Sequence, residues 1–165
     1  MLLPHILVVP IERTPLWVIE RAARLAFSSI LKAHPGLFER LGGFSDRRYG
    51  FRPSDLPLDF MVVPESKSLS VTRRGGNVTV DACVEGPLLE LLCLLEGRSD
   101  GDALFFSRAL TVTGDMEAIL ALRNALDDSN IDLPTDLGAM AGIFSPLVSS
   151  LARSVRNRAL AGEQG

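Results

Sequence analysis

Residues 101–126 read GDALFFSRALTVTGDMEAILALRNAL, and a change of period inside this stretch sets the fold class. Residues 108–113 alternate, directing Leu110 and Val112 to one side, as a half-buried strand does. Gly114 permits a tight turn. Asp115 offers a side-chain oxygen to the free N–H groups of a helix start, and Met116, Ile119, Leu120, Leu122 and Leu126 then recur at helical spacing. A strand that passes through a glycine straight into an amphipathic helix places sheet and helix on one core, the mark of an α+β domain.

Upstream, Gly86-Pro87 opens LLELLCLLE, residues 88–96, a helix whose polar members are Glu90 and Glu96. A helix apolar nearly all round must be buried on more than one side or touch lipid. A polar loop follows, then the cluster Ala103-Leu104-Phe105-Phe106. Further back the pattern predicts a meander. Its strands are 58–63, 68–72 and 77–84, with turns at Pro64-Glu65-Ser66-Lys67 and Arg73-Arg74-Gly75-Gly76. Leu69 and Val71, then Val78, Val80, Ala82 and Val84, face one way, so one side of the sheet is apolar and the other wet.

Toward the ends the chain is helical. Thr14 as N-cap and Pro15 at the first helical position predict a helix over 14–32, ended by His34-Pro35-Gly36. Residues 36–57 are less regular, with a short helix near 37–41. After Pro134 a helical stretch is expected over 135–160, divided by Pro146 and ending among Arg153, Arg156 and Arg158.

The chain has 165 residues, 47% of them hydrophobic and 22% charged, with a net charge of −3 and a mean hydropathy of +0.23. That is enough chain for one well-buried core, and no basic field draws in nucleic acid. Cys83 and Cys93 lack metal-site or C-x-x-C spacing and read as a reduced pair. No run reaches the roughly 18 apolar residues needed to span a bilayer. The opening MLLPHILVVPI is broken by Pro4 and Pro10 and reads as a retained segment, which makes a cytoplasmic location the expectation.

Motifs of nucleophilic, phosphate-binding and zinc chemistry are missing. His5 and His34 have no evident nucleophile or ligand beside them. The pairs Asp100/Asp102 and Asp127-Asp128 sit where solvated loop and helix-end carboxylates are ordinary. The apolar elements remain. They form either a plain core or the lining of a cavity, which look alike in sequence. At about 0.8 kcal/mol per buried CH₂, two or three isoprene units supply roughly 8–12 kcal/mol before binding costs, so a lipid ligand needs no polar motif.

The order of meander, leucine helix, aromatic loop, strand, Gly-Asp turn and helix resembles the sterol carrier protein type 2 family. The resemblance is carried most closely by Ala103-Leu104-Phe105-Phe106, Leu110-Thr111-Val112, Gly114-Asp115-Met116 and residues 122–126. Residues 102–127, with Val8-Val9-Pro10-Ile11 and Thr14-Pro15, look similar to a bacterial branch, that of the ubiquinone biosynthesis accessory factor UbiT. Residues 36–57 and those after Pro134 depart from the pattern.

The resemblance implies a mixed, largely antiparallel sheet of about five strands covered by helices, with an N-terminal helix, a C-terminal helical tail and a hydrophobic tunnel. Residues 1–57 would form the N-terminal segment and helices, 58–127 the lipid-binding core and 128–165 the tail, within one globular domain overall. It further implies lipid binding without turnover, no cofactor, and a role in oxygen-independent ubiquinone synthesis beside iron–sulfur hydroxylation proteins. The ligand would be an isoprenoid lipid or quinone precursor, with peripheral contact at the inner membrane. Lining residues are expected among Leu89, Leu92, Leu95, Leu104, Phe105, Phe106, Leu110, Val112, Met116, Ile119, Leu120 and Leu122. Other readings are a general lipid-transfer domain, or a scaffold that docks a protein or membrane through its terminal helices.

Overall fold

The structure, a computed structural model, describes residues 14–97 and 109–137, and its first element is set by a proline. Helix α1 (Leu16–Ala33) begins directly after Pro15, which itself occupies the cap position without a side-chain bond. The Pro15 carbonyl accepts from Val18 N at 3.0 Å and so starts the ladder. Thr14, expected as the cap, instead presents its carbonyl to Arg73 Nη2 at 2.6 Å. The helix ends where His34 N donates to Ile30 O at 2.9 Å, since Pro35 cannot continue it. A 3-10 segment, Glu39–Phe44, replaces the short helix expected at 37–41, and Gly42 at φ +53° breaks its regularity.

Five strands follow in one sheet, ordered β3-β2-β1-β4-β5: β1 (Tyr49–Pro53), β2 (Leu58–Val63), β3 (Ser68–Arg73), β4 (Ala82–Gly86) and β5 (Thr111–Gly114). The hairpin β2–β3 forms as expected, with Phe60 opposite Val71. The three-stranded meander does not. After β3 the chain crosses back, and β4 pairs in parallel with β1, Phe51 opposite Val84. All other pairings are antiparallel. The third strand starts at Ala82 rather than Asn77, because Asp81 ties the chain to the start of β1. Its carboxylate accepts from Arg48 N at 2.7 Å, and its own N–H donates to Arg48 O at 2.9 Å. Strand β1 carries Gly50 and Pro53, two residues that argue against a strand in sequence.

Alternation along the paired strands gives each face a definite set of side chains. Tyr49, Phe51, Leu58, Phe60, Val62, Leu69, Val71, Ala82, Val84 and Val112 share one face, and the helices cover it. Leu56, Leu58 and Val71 form a buried cluster against Leu16, Ile19 and Ala23 of α1. The opposite face carries Arg52, Asp59, Ser70, Thr72, Glu85 and Thr113, with Arg52 and Arg74 within 4 Å of the Asp59 carboxylate. Cys83 lies on this polar side yet is buried, since Val80 lies beside it: a Cβ at the neighbouring Gly50 would meet both Cys83 Sγ and the Val80 methyls at 3.2 Å.

Helix α2 (Leu88–Glu96) keeps its expected limits. Pro87 cannot supply a side-chain cap, so Asp55 does, its carboxylate accepting from Leu88 N at 2.9 Å. Asp115 caps α3 (Met116–Asp127) as expected, accepting from Ala118 N at 3.0 Å. Between β5 and α3, Gly114 adopts φ +85°, and a Cβ there would fall on the Asp81 carbonyl oxygen and lie 3.1 Å from Ala82 Cα. The turn is therefore closed to any other residue type without displacement of backbone. The last expected strand, 108–113, is observed as Thr111–Gly114, with Arg108 outside the described residues.

The chain divides into two compact units after Ile131. In the second, α4 (Leu133–Asp136) is capped by Asp132, whose carboxylate accepts from Thr135 N at 3.4 Å. Most of the long terminal helix expected over 135–160 lies outside the described residues.

Candidate functional site

The apolar face of the sheet is covered in two parts. Helix α1 lies over β3 and the Leu58–Val71 cluster, whereas α2 lies on β1 and β4, and α3 on β4 and β5. Phe51 and Phe60 are paired across β1 and β2, where the first covering gives way to the second. Both rings remain only half-buried, while Val84 beside them is fully buried. Leu92, Leu95 and Val112 are likewise half-buried, on α2 and β5. These side chains are aliphatic and aromatic, and apolar groups of this kind favour hydrocarbon over any charged group.

The expected lining residues separate into three groups. Leu89, Leu110, Ile119 and Leu122 are buried, as core residues are. Leu92, Leu95 and Val112 are half-open, and Met116 and Leu120 are 60% and 56% exposed on adjacent turns of α3. Ile119 is buried one position away, so the apolar stripe of α3 continues from the core out to solvent. Leu104, Phe105 and Phe106 lie outside the described residues. Tyr49, Phe51, Phe60 and Val84 were not among the expected residues, although aromatic side chains at alternate positions, Tyr49 and Phe51, are a strand signal.

Polar chemistry near this face is structural. Tyr49, 1% exposed, donates its hydroxyl to Phe44 O at 2.9 Å. Burial, with Asp115 adding to it, pushes the phenol up to about 12, so the donor stays in place through the neutral range. Burial also raises the Cys83 thiol, although Arg52 opposes it. A thiol kept protonated is a poor nucleophile. Among the described residues no group of three or more His, Cys, Asp or Glu side chains is arranged to hold a metal. None of the described helices is long and apolar enough to cross a membrane.

An open groove of about 510 Å³ lies elsewhere, between the second half of α1 and the start of β3. Phe27, Leu31 and Leu69 contribute apolar surface to it, and Arg24, Lys32, Lys67, Ser28 and Ser68 polar groups.

The profile of the SCP-2 sterol transfer family matches residues 27–127. No curated protein sequence matches the chain. Among solved structures, a protein described as "UbiJ-SCP2 Ubiquinone synthesis protein" is similar with a TM-score of 0.55 and 16% identity, over 73% of this chain and 98% of that one. The sterol carrier protein domain 2 of Helicoverpa armigera gives 0.46 and 18%, over 66% and 86%. Sterol carrier protein 2 of Yarrowia lipolytica, in its apo form, gives 0.43 and 13%, over 64% and 90%. At these identities the likeness is one of fold.

Proposed function

We propose, since the chain belongs to the SCP-2 sterol transfer family, that it is a non-catalytic accessory factor holding a polyprenylated quinone precursor for oxygen-independent ubiquinone synthesis. The observations that carry this reading are the paired, half-buried Phe51 and Phe60 on the helix-covered face of the sheet and the half-buried Leu92 and Leu95 of α2, a helix that lies on β1 and β4. Side chains of this kind gain about 25 cal/mol per Å² when hydrocarbon replaces water over them. The mechanism is desolvation: the isoprenoid tail lies along these side chains, and the ring stays toward solvent for the enzymes that modify it. The fold shared with a ubiquinone synthesis protein supports the pathway. Partner proteins, the iron–sulfur hydroxylation proteins among them, would meet the ring end.

Native mass spectrometry of the full chain purified from its own host, followed by organic extraction, tests this reading. The expected result is a prenylated phenol at close to one per chain. Recovery of phospholipid alone would leave the family intact and remove the pathway.

A membrane surface is a second partner favoured by a specific feature. Trp17 and Leu25 are 68% and 48% exposed on α1, with Val18 exposed beside them. Arg21 lies between them on the same side at helical spacing, a pattern suited to the interface of an anionic bilayer. Flotation with phosphatidylglycerol vesicles is expected to carry the protein upward, and Trp17→Glu with Leu25→Glu to cut the floated fraction at least fivefold. An unchanged fraction would exclude this face.

A further inference from the structure

Helix α1 is seated on the sheet far more lightly than α2 and α3. Of its 18 residues Ile30 alone is buried, whereas five are buried in each of the other two, although both are shorter. Three of its large apolar side chains, Trp17, Val18 and Leu25, are exposed instead. Its contact with the Leu56, Leu58 and Val71 cluster is made by Leu16, Ile19 and Ala23, all half-buried. Beyond Ala23 the open groove intervenes, with Phe27 and Leu31 on the helix and Leu69 on β3. The second half of the helix is therefore not close-packed on the strand beside it. Few buried apolar side chains, and a void alongside them, mark an element of low local stability.

Two arginine clasps tie this helix to β3, one near each end of the strand. Arg24 donates from Nε to Leu69 O at 3.0 Å, and from Nη2 to Glu20 Oε1 at 2.9 Å. At the other end Arg73 Nη2 donates to Thr14 O at 2.6 Å. The Arg24 bond is exposed to solvent, where water takes the place of a lost partner, so its net contribution is small. The C-terminal end of α1 is fixed differently. Ile30 is buried there, and the Phe27 ring packs on Phe38, centroids 5.9 Å apart.

We infer that α1 is a strap that swings off β3 from its N-terminal end, about the anchor at Phe27 and Ile30, while the rest of the domain stays folded. Opening uncovers Leu56, Leu58 and Val71, against which Leu16, Ile19 and Ala23 pack in the closed form. The other half of the apolar face, around Val84, keeps its cover of α2 and α3. Arg24 is the gate, because its release breaks the bond to Leu69 O near the middle of the helix. The motion is a property of the chain alone, and it holds or fails whatever the chain binds.

Thiol labelling of the full chain with iodoacetamide, without denaturant and read site by site by mass spectrometry, tests the strap. Val71→Cys puts a thiol under α1, and Val84→Cys puts one under α2 and α3. The first is expected to react roughly a hundredfold faster, because it needs only the strap to open whereas the second needs global unfolding. Arg24→Met should speed labelling at position 71 about fivefold, the worth of one exposed hydrogen bond, and leave position 84 unchanged. In the parent chain, amide hydrogens of residues 17–26 are expected to exchange about tenfold faster than that of Val84, since a helix of this length frays once freed. That measurement requires neither cysteine variant. Equal labelling at the two positions, an Arg24→Met effect shared by both or absent from both, or α1 amides as slow as that of Val84 would each overturn the inference.

Discussion

Replacement of Gly114 by alanine is expected to lower the unfolding free energy by about 3 kcal/mol. Two effects add. A residue with a Cβ pays roughly 1–2 kcal/mol to hold a left-handed conformation, and Gly114 sits at φ +85°. The new methyl would also occupy the place of the Asp81 carbonyl oxygen, which accepts from Asp115 N at 2.9 Å. Neither Asp81 O nor Ala82 Cα can yield cheaply, since both are backbone, Asp81 tied to Arg48 and Ala82 paired in the sheet. Gly75 provides the comparison. It has φ +87° but open space where its Cβ would go, so Gly75→Ala should cost only the conformational part, about 1 kcal/mol. Urea denaturation of the two variants checks this, with the midpoint falling further for Gly114→Ala at unchanged slope. Equal losses would show that the close approach at β5 does not limit the fold.

The double variant Met116→Arg, Leu120→Asp is expected to retain at least tenfold less lipid on purification while melting within about 2 °C of the parent. The two positions are exposed, so the fold does not depend on their burial, and surface changes of this kind usually stay within ±0.5 kcal/mol. The proposed ligand path runs from the half-buried aromatic pair past these side chains on the outer edge of α3. A carboxylate and a guanidinium there would each have to lose water against it. Full retention in the folded variant would remove α3 from the ligand path. A charge at Leu122 would not make this distinction, because that side chain is buried and its loss would damage binding and folding together.

Helices α1, α2 and α3 were legible because their signals are local. Asp115 caps α3 through a residue three positions on, and the limits of α2 follow from Pro87 and from Gly97 at φ +61°. Strand β1 was not legible, since Gly50 and Pro53 mask a segment whose aromatic alternation is only Tyr49 and Phe51. Its partner β4 lies far along the chain, and no short-range pattern reports a parallel pairing. The site inherited that gap, because Phe51 and Val84 belong to these two strands. The division of apolar residues between packing and lining was hidden for a different reason. Ile119 and Leu120 are alike in hydrophobicity and adjacent in sequence, yet one is buried and the other open, and the difference depends on which strand the helix meets.

The parallel pairing of β1 with β4 also orders the assembly of the sheet in time. The contact that anchors it, between Arg48 and Asp81, joins positions 33 apart, and the β2–β3 hairpin lies within that span. A hairpin closes in microseconds on its own. The enclosing pair must wait for a larger loop to shut, and it gains its side-chain contacts only afterwards. Nascent chains that halt before Ala82 therefore expose one edge of β1, with Tyr49 and Phe51 beside it, which makes the late-joining strand the point at which this domain is most open to mispairing between copies.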